Sequence, residues 1–228
     1  MSVSETITKR LQEAGARFWA GDNISAHITP EERDELIEEL THKFNDVLRG
    51  LIIDIDNDPN SQETGKRLAK MYVNEIMRGR YYEKPNATCF PNHVEDGYEG
   101  MLVVRSELKS MCSHHHQPVN GVAYIGVIAA DTLIGLSKYT RIAQWCARRG
   151  TLQEELCNDI AKEIMKATQS KDVGVYIQAT HGCCENRGIG AHSSLTQTTV
   201  LKGSFFDDPG TKQEFFDNIK LQQEFAPR

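Results

Sequence analysis

Long apolar runs are missing from this sequence of 228 residues. No stretch approaches the ~18 consecutive apolar residues that mark a membrane-spanning helix. The first residues, MSVSETITKRLQEAG, do not form a basic segment followed by an apolar one, as a secretory signal peptide would. We therefore expect a cytoplasmic protein with no membrane partner. In that compartment the six cysteines would be thiols, buried or available to metals, and not a disulfide framework.

An excess of basic residues is also missing. The formal net charge is −6, which argues against nonspecific affinity for nucleic acid, because phosphate backbones attract basic surfaces. An anionic small substrate would therefore need a local basic pocket. Internal repeats and low-complexity tracts are absent as well. With 39% hydrophobic residues, the chain can bury the core of one large domain or of one domain with a helical extension.

Three helices are predicted in the first 80 residues. The first spans about residues 4–20, and the third closes near Gly79. The second has the clearest start signal, with Thr29 as N-cap, Pro30 in the first turn and Glu32 completing a capping box, and it ends at Gly50. Apolar residues at helical spacing mark all three helices: Ile7, Leu11, Ala14 and Phe18; Leu36, Leu40, Phe44 and Val47; Leu68, Tyr72 and Ile76.

The pattern changes after residue 97. Short β-type runs occupy residues 101–104, 122–129, 173–179 and 196–201, and helical patterns occupy 137–149 and 152–168 between the second and third runs. This order predicts an α+β protein with an antiparallel sheet and helices packed on one face. We expect an N-terminal helical region over residues 1–95 and a catalytic domain over 96–228.

Two polar clusters contain metal-ligand side chains, one at residues 112–116 (CSHHH) and one at 181–184 (HGCC). A Cys-x-x-His pair from the first and a thiolate from the second would give zinc three protein ligands and leave its fourth position open, as in catalytic sites. Histidines left over from coordination would suit general acid and base chemistry near neutral pH. The alternative is that these residues are buried thiols and surface histidines.

A second group of residues could bind an anion. Ser137, Lys138 and Arg141 lie at a predicted helix start, where backbone amides and two cations could hold phosphates together with Arg187. The alternative is a solvated basic helix. Glu154 opens the next helix, where the helix dipole alone favours a carboxylate, although a carboxylate could also accept the N–H donors of a guanine edge.

These segments together resemble the GTP cyclohydrolase I family from about residue 54 to the end of the chain. The family's hallmark segments are similar to Ser-Met-Cys-Glu-His-His, Gly-Leu-Ser-Lys, Gln-Glu and His-x-Cys-x-x-x-Arg-Gly. Here they stand in the same order as residues 110–115 (SMCSHH), 135–138 (GLSK), 153–154 (QE) and 181–188 (HGCCENRG).

The resemblance implies a role for each matching residue. Zinc would be held by Cys112, His115 and Cys183, with His114 and His181 as acid and base. The substrate GTP would be bound by these positions: Ser137, Lys138, Arg141, Gln153, Glu154 and Arg187, with Glu154 reading the guanine. The implied product is 7,8-dihydroneopterin triphosphate, a precursor for folate, tetrahydropterin or 7-deazaguanine synthesis. The implied architecture is the tunnelling fold, whose sheets join into barrels in a homodecamer with active sites between subunits.

Several positions depart from the family pattern. Ser113 replaces the usual glutamate between the zinc cysteine and the first catalytic histidine. His116 and Cys184 offer alternative ligands, and His192 has no assigned role. Two other functions therefore stay open: a non-catalytic nucleotide-binding or assembly subunit, and a related enzyme acting on a pterin or deazapurine.

Overall fold

The computed structural model of the protein describes residues 1–92 and 97–225. The described residues divide into two compact units. Unit 1 contains Met1–Glu83 and Arg148–Gly150, and unit 2 contains Lys84–Ala147 and the residues from Thr151 onward. The predicted domain boundary between residues 95 and 96 lies outside the described residues. Among those that are described, no helix combines the length and the apolar character needed to cross a bilayer.

Unit 1 is helical. Its helices are α1 (Val3–Glu13), α2 (Pro30–Gly50), α3 (Thr64–Met71) and α4 (Arg78–Tyr81). A π-helical turn over Tyr72–Ile76 links α3 to the segment before α4. The apolar core of the unit contains residues from three helices and from the connecting segments: Ile7, Leu11, Ile24, Ile28, Leu36, Ile37, Ala69 and Val73.

Helix α2 begins where the sequence predicted, whereas helix α1 ends earlier than predicted. The Thr29 hydroxyl accepts from the Glu32 amide and the Glu32 carboxylate accepts from the Thr29 amide, so the predicted capping box is confirmed. The prediction that the first helix runs to residue 20 was wrong. It ends at Glu13, and Gly15 then takes a φ of +60°, a conformation that interrupts a right-handed helix.

Unit 2 is α+β with antiparallel sheets. The strands of unit 2 are β1 (Cys89–Pro91), β2 (Met101–Met111), β3 (Pro118–Ile128), β4 (Thr132–Ile134), β5 (Val173–His181) and β6 (Thr196–Lys202). Among the described residues, the main sheet has the strand order β2-β3-β5-β6, and β1 pairs with β4 in a separate sheet. The helices of unit 2 are α5 (Leu136–Ala147), α6 (Gln153–Thr168), α7 (Gly182–Glu185), α8 (Ser204–Asp207) and α9 (Pro209–Phe225).

Helices cover both faces of the main sheet. On the first face, α5 and α6 pack against alternate residues of the strands in one core: Ala123, Ile125, Val127, Val175, Ile177, Ile142, Leu156, Ile160 and Ile164. On the second face, Tyr124 packs in a smaller core with Phe205 of α8, and with Phe215 and Ile219 of α9.

The prediction of helices on one face was therefore wrong for the C-terminal helices. Glycines on two strands leave room for them, because a Cβ at Gly126 would lie 2.7 Å from the Phe215 ring and one at Gly174 would lie 2.8 Å from the Phe205 ring. The two phenylalanine rings then meet edge to face, with their centroids 5.2 Å apart.

Candidate metal centre and active site

Pairing of three strands brings the two polar clusters of the sequence to one end of the main sheet. Val119, near the start of β3, lies opposite Ser110 of β2 and opposite His181 of β5. Cys112 follows the last residue of β2, and Cys183 lies in α7, which directly follows β5. Cys112 and Cys183, which are 71 positions apart in the chain, are therefore close in space.

Cys112, His115 and Cys183 form a group that can hold a metal ion. One ligand atom from each side chain lies within 4.8 Å of the other two. Cys112 is buried, Cys183 is half-buried and His115 is exposed. The two thiols therefore lie toward the protein interior, and the imidazole lies on the solvent side of the group. The structure thus brings together the three residues that the resemblance implied as ligands.

The loop that supplies two of these ligands is a tight hairpin connection between β2 and β3. The Cys112 amide donates to the Gln117 carbonyl at 3.0 Å, and the His116 amide donates to the Cys112 carbonyl at 2.9 Å. His116 closes the turn with a φ of +50°, a conformation uncommon for residues other than glycine. The loop places His114 and His115 next to each other, with ring centroids 6.3 Å apart.

The thiol of Cys183 lies in a crowded environment. Burial raises its pKa to about 11, and the neighbouring thiols of Cys112 and Cys184 act in the same direction. The Sγ atoms of Cys183 and Cys184 are 4.0 Å apart. Among the described residues, the metal-binding group includes Cys183 and not Cys184.

His181 is held by a glutamine on the neighbouring helix. Its Nε2 atom lies 2.7 Å from Oε1 of Gln153, the first residue of α6. Gln153 is 4% exposed, and its Nε2 lies 3.2 Å from the Thr196 carbonyl and 3.2 Å from the Thr198 hydroxyl. Sequence reasoning missed this contact. Its one sequence signal is that Gln153 shares a helix face with Leu156 and Ile160, and a buried polar group on such a face needs hydrogen-bond partners.

The other predicted substrate residues lie near helix termini. Ser137 and Lys138 are in the first turn of α5, with Arg141 one turn later. Ser137 and Arg141 are exposed and Lys138 is half-buried. Glu154 is exposed in the first turn of α6, and Arg187 is exposed shortly after α7. All of them belong to unit 2.

The remaining cysteines and His192 are separate from this group. Cys146 and Cys157 are buried in the larger core, where burial raises the pKa of Cys157 to about 11. Such thiols are unreactive. Cys89 is exposed on β1, and His192 is exposed before β6.

The fold and the site together define an α+β protein with a group of two cysteines and one histidine that could hold a metal ion, at one end of an antiparallel sheet. The chain belongs to the GTP cyclohydrolase I family, whose sequence model matches residues 41–220. The resemblance seen in the motifs begins at about residue 54, and this boundary was too late, because the match starts within α2.

Curated relatives are similar over most of the chain. A protein named GTP cyclohydrolase 1 from Shewanella sp. (strain ANA-3) is 35% identical over 225 residues, which cover 96% of this chain and 100% of that protein. A protein of the same name from Flavobacterium johnsoniae is 38% identical over 200 residues, covering 87% of this chain and 86% of that protein. The motifs suggested that residues 1–53 lie outside the resemblance. The relatives show that the similarity extends into these residues.

One solved structure, an archaeosine synthase QueF-Like in the apo form, matches with a TM-score of 0.38 and 15% identity. The aligned region covers 45% of this chain and 93% of the chain in that structure. At this TM-score the likeness carries no argument.

Proposed function

We propose that the protein is a zinc-dependent GTP cyclohydrolase I, which opens the imidazole ring of GTP at C8. The observation that carries the proposal is the convergence of Cys112, His115 and Cys183 in a chain of this family. The net reaction converts GTP and water to formate and 7,8-dihydroneopterin triphosphate. Two waters are consumed in opening the ring and releasing formate, and one is expelled when the rearranged ribose carbons close the pterin ring.

The donor set fits zinc. A tetrahedral zinc ion with bonds of ~2.0–2.3 Å separates its ligand atoms by roughly 3.3–3.8 Å. The three ligand atoms here lie within 4.8 Å of one another, so small side-chain movements suffice to close the site. Two thiolates and one imidazole are ligands that zinc prefers, and three protein ligands leave a position open for chemistry. When bound, zinc would supply Lewis-acid polarisation and activation of water near neutral pH.

The protein's own residues supply proton transfer at the guanine ring. His181 is held in place by Gln153, at the end of β5 and two residues before a metal ligand. His114 stands on the hairpin loop beside His115. We assign these two histidines as the acid and base that protonate the ring nitrogen and accept protons during hydrolysis, because histidine is the side chain that most often serves as general acid or base.

Recognition of GTP is assigned to the starts of two helices. The Glu154 carboxylate would accept the two N–H donors of the guanine edge, and the triphosphate would bind the start of α5. Cations of Lys138, Arg141 and Arg187 suit the phosphate charge, and the Ser137 hydroxyl can donate a further hydrogen bond. Binding energy from the triphosphate would then hold the base against the metal.

The assembly is part of the same proposal. We assign the chain to the tunnelling fold and to a homodecamer whose sheets join into a barrel and whose active sites lie between subunits, in the cytoplasm. In the described part of the chain, β2 and β6 are the outer strands of the main sheet, so each has one edge for pairing. None of the six cysteines forms a disulfide in the structure, which is compatible with a reducing compartment.

A second candidate function is a non-catalytic nucleotide-binding subunit. Ser113 favours it, because a serine stands where the family pattern has a glutamate beside the catalytic histidine. A third is turnover of a pterin or deazapurine at the same metal.

One assay separates the three functions. Purified protein, loaded with one zinc per subunit, is incubated with GTP, and formate and the fluorescence of the oxidised pterin are followed. The proposal expects both products in equal amounts. Tight GTP binding without either product would contradict it in favour of the binding subunit, and turnover of a pterin or deazapurine with GTP untouched would favour the third function.

A further inference from the structure

Gln153 has a hydrogen-bond pattern that fixes the orientation of its side-chain amide. The Nε2 atom lies 3.2 Å from the Thr196 carbonyl, 3.2 Å from the Thr198 hydroxyl and 3.5 Å from the Ile177 carbonyl. Carbonyl oxygens only accept hydrogen bonds, so the atom that faces them must be the NH₂ group. The amide oxygen is then turned toward His181, whose Nε2 atom is 2.7 Å away.

The orientation of this amide determines the protonation pattern of His181. An amide oxygen cannot donate, so the hydrogen bond of 2.7 Å requires a proton on the Nε2 atom of His181. In the neutral imidazole, the other nitrogen, Nδ1, is then the unprotonated one. The ring therefore offers Nδ1 as its acceptor, while Nε2–H stays engaged with the protein.

The Gln153 side chain is held by groups from three elements of regular structure. Gln153 is 4% exposed at the first position of α6, and its three acceptors lie on β5 and β6. One helix and two strands thus hold the amide, and the amide holds the imidazole. A side chain whose NH₂ and oxygen are both engaged inside the protein has little left to offer a substrate.

We infer that Gln153 is a positioning residue, which holds His181 in the tautomer with Nδ1 free to exchange protons with the substrate, and not a substrate-binding residue. The inference rests on the proposed function of His181 and revises the role that the sequence resemblance implied for Gln153. Fixing a tautomer through a neighbouring acceptor is a general device for histidines in active sites.

Steady-state kinetics with GTP distinguish the two roles of Gln153. Gln153→Met keeps the length of the side chain and removes the acceptor, while Gln153→Glu keeps an acceptor oxygen for Nε2–H. We expect Gln153→Met to lower kcat by about 10–100-fold, with the KM for GTP and the metal content unchanged. Gln153→Glu should retain more of kcat than Gln153→Met. A rise in KM with kcat preserved would overturn the inference and restore the substrate-binding role.

A second pair of variants applies if either substitution at residue 153 unfolds the protein. Thr198→Val removes one acceptor of the Gln153 amide, and Thr198→Ser keeps it. We expect Thr198→Val to have the lower kcat of the two at equal KM. Equal kcat values in this pair would count against the positioning role.

A spectroscopic readout keeps the test separate from the proposed function. If the wild-type protein released no formate from GTP, the proposed function would fail, but the tautomer could still be read. In the ¹⁵N spectrum of protein labelled at histidine side chains, the His181 signals are identified by their loss in His181→Ala. The inference expects a protonated Nε2 in the wild type and a mixture of tautomers in Gln153→Met. An Nδ1-protonated ring in the wild type would refute it.

Discussion

Cys183 and Cys184 are adjacent thiols, and among the described residues one of them, Cys183, lies in the group that could hold a metal ion. The Sγ atom of Cys183 lies in the group with Cys112 and His115, while Cys184 lies outside it, with its Sγ 4.0 Å from that of Cys183. The residue pattern left both thiols open as ligands, because spacing alone does not tell which one faces the first cluster. At the scale of single residues, the positions of the Sγ atoms distinguish the two cysteines, and spacing does not.

Substitution of the two cysteines tests this assignment. Cys183→Ala should lower the metal content to near zero and abolish formate release, because two remaining ligands hold zinc poorly. Cys184→Ala is the matched control and should keep both metal and activity. Metal per subunit, measured by elemental analysis after desalting, decides between them. Loss of metal from Cys184→Ala with retention in Cys183→Ala would reverse the assignment.

Substitution of Lys138 tests the phosphate role of α5. Removing a charge-assisted hydrogen bond costs about 1.5–3 kcal/mol, so Lys138→Ala should raise the KM for GTP roughly 10-fold or more. The matched control is Lys162→Ala, which removes a lysine from the exposed side of α6, where it is 3.9 Å from Asp159. An unchanged KM for Lys138→Ala, measured by initial rates over a range of GTP concentrations, would remove Lys138 from the site.

At the scale of elements, hydrophobic patterns within a segment predicted the helices and strands whose formation depends on that segment alone. The four-residue spacing of apolar side chains predicted a helix over residues 152–168, and α6 spans Gln153–Thr168. The strand predicted over residues 101–104 continues to Met111, because charged residues alternate with buried ones, such as Leu108, along its second half. Helix α9 was not predicted. Its packing depends on the space that Gly126 and Gly174 leave on strands β3 and β5, and this depends on the tertiary structure.

The start of α2 makes a pH-dependent contribution to stability. The hydrogen bond from Arg10, at 2.6 Å, together with the Thr29 amide and the attraction of the Arg10 charge, lowers the pKa of Glu32 to about 2, from an ordinary value near 4.5. Because the folded pKa is the lower one, this contribution is fully present above pH ~4.5 and is lost as the pH falls toward ~2.

Urea unfolding of Glu32→Gln tests this contribution. We expect the variant to be less stable than the wild type at pH 6, with the difference in unfolding free energy shrinking as the pH falls from 5 to 3. Glu35→Gln, which removes a carboxylate from the same helix, is the control and should show a smaller difference at pH 6. A difference for Glu32→Gln that stays constant over this range would contradict the account.

At the scale of the whole molecule, every residue assigned to the proposed site lies in unit 2. The sequence motifs were enough to identify the family and to name the three residues that the structure brings together as a group that could hold a metal ion. They could not show why Ser110 and His181, 71 positions apart in the chain, come to the same end of the sheet, which depends on the register that sets Val119 opposite both residues. Nor could they show the contact of His181 with Gln153, which depends on how α6 packs on the sheet.

The central claim is hydrolysis of GTP at C8, and the most direct measurement follows that carbon atom. GTP labelled with ¹³C at C8 is incubated with the zinc-loaded protein, and the products are observed by ¹³C NMR. The account predicts that the label leaves as formate, in step with pterin formation, and that Cys183→Ala releases none. Label that stays in the purine while GTP is bound, or that leaves equally with Cys183→Ala, would contradict it.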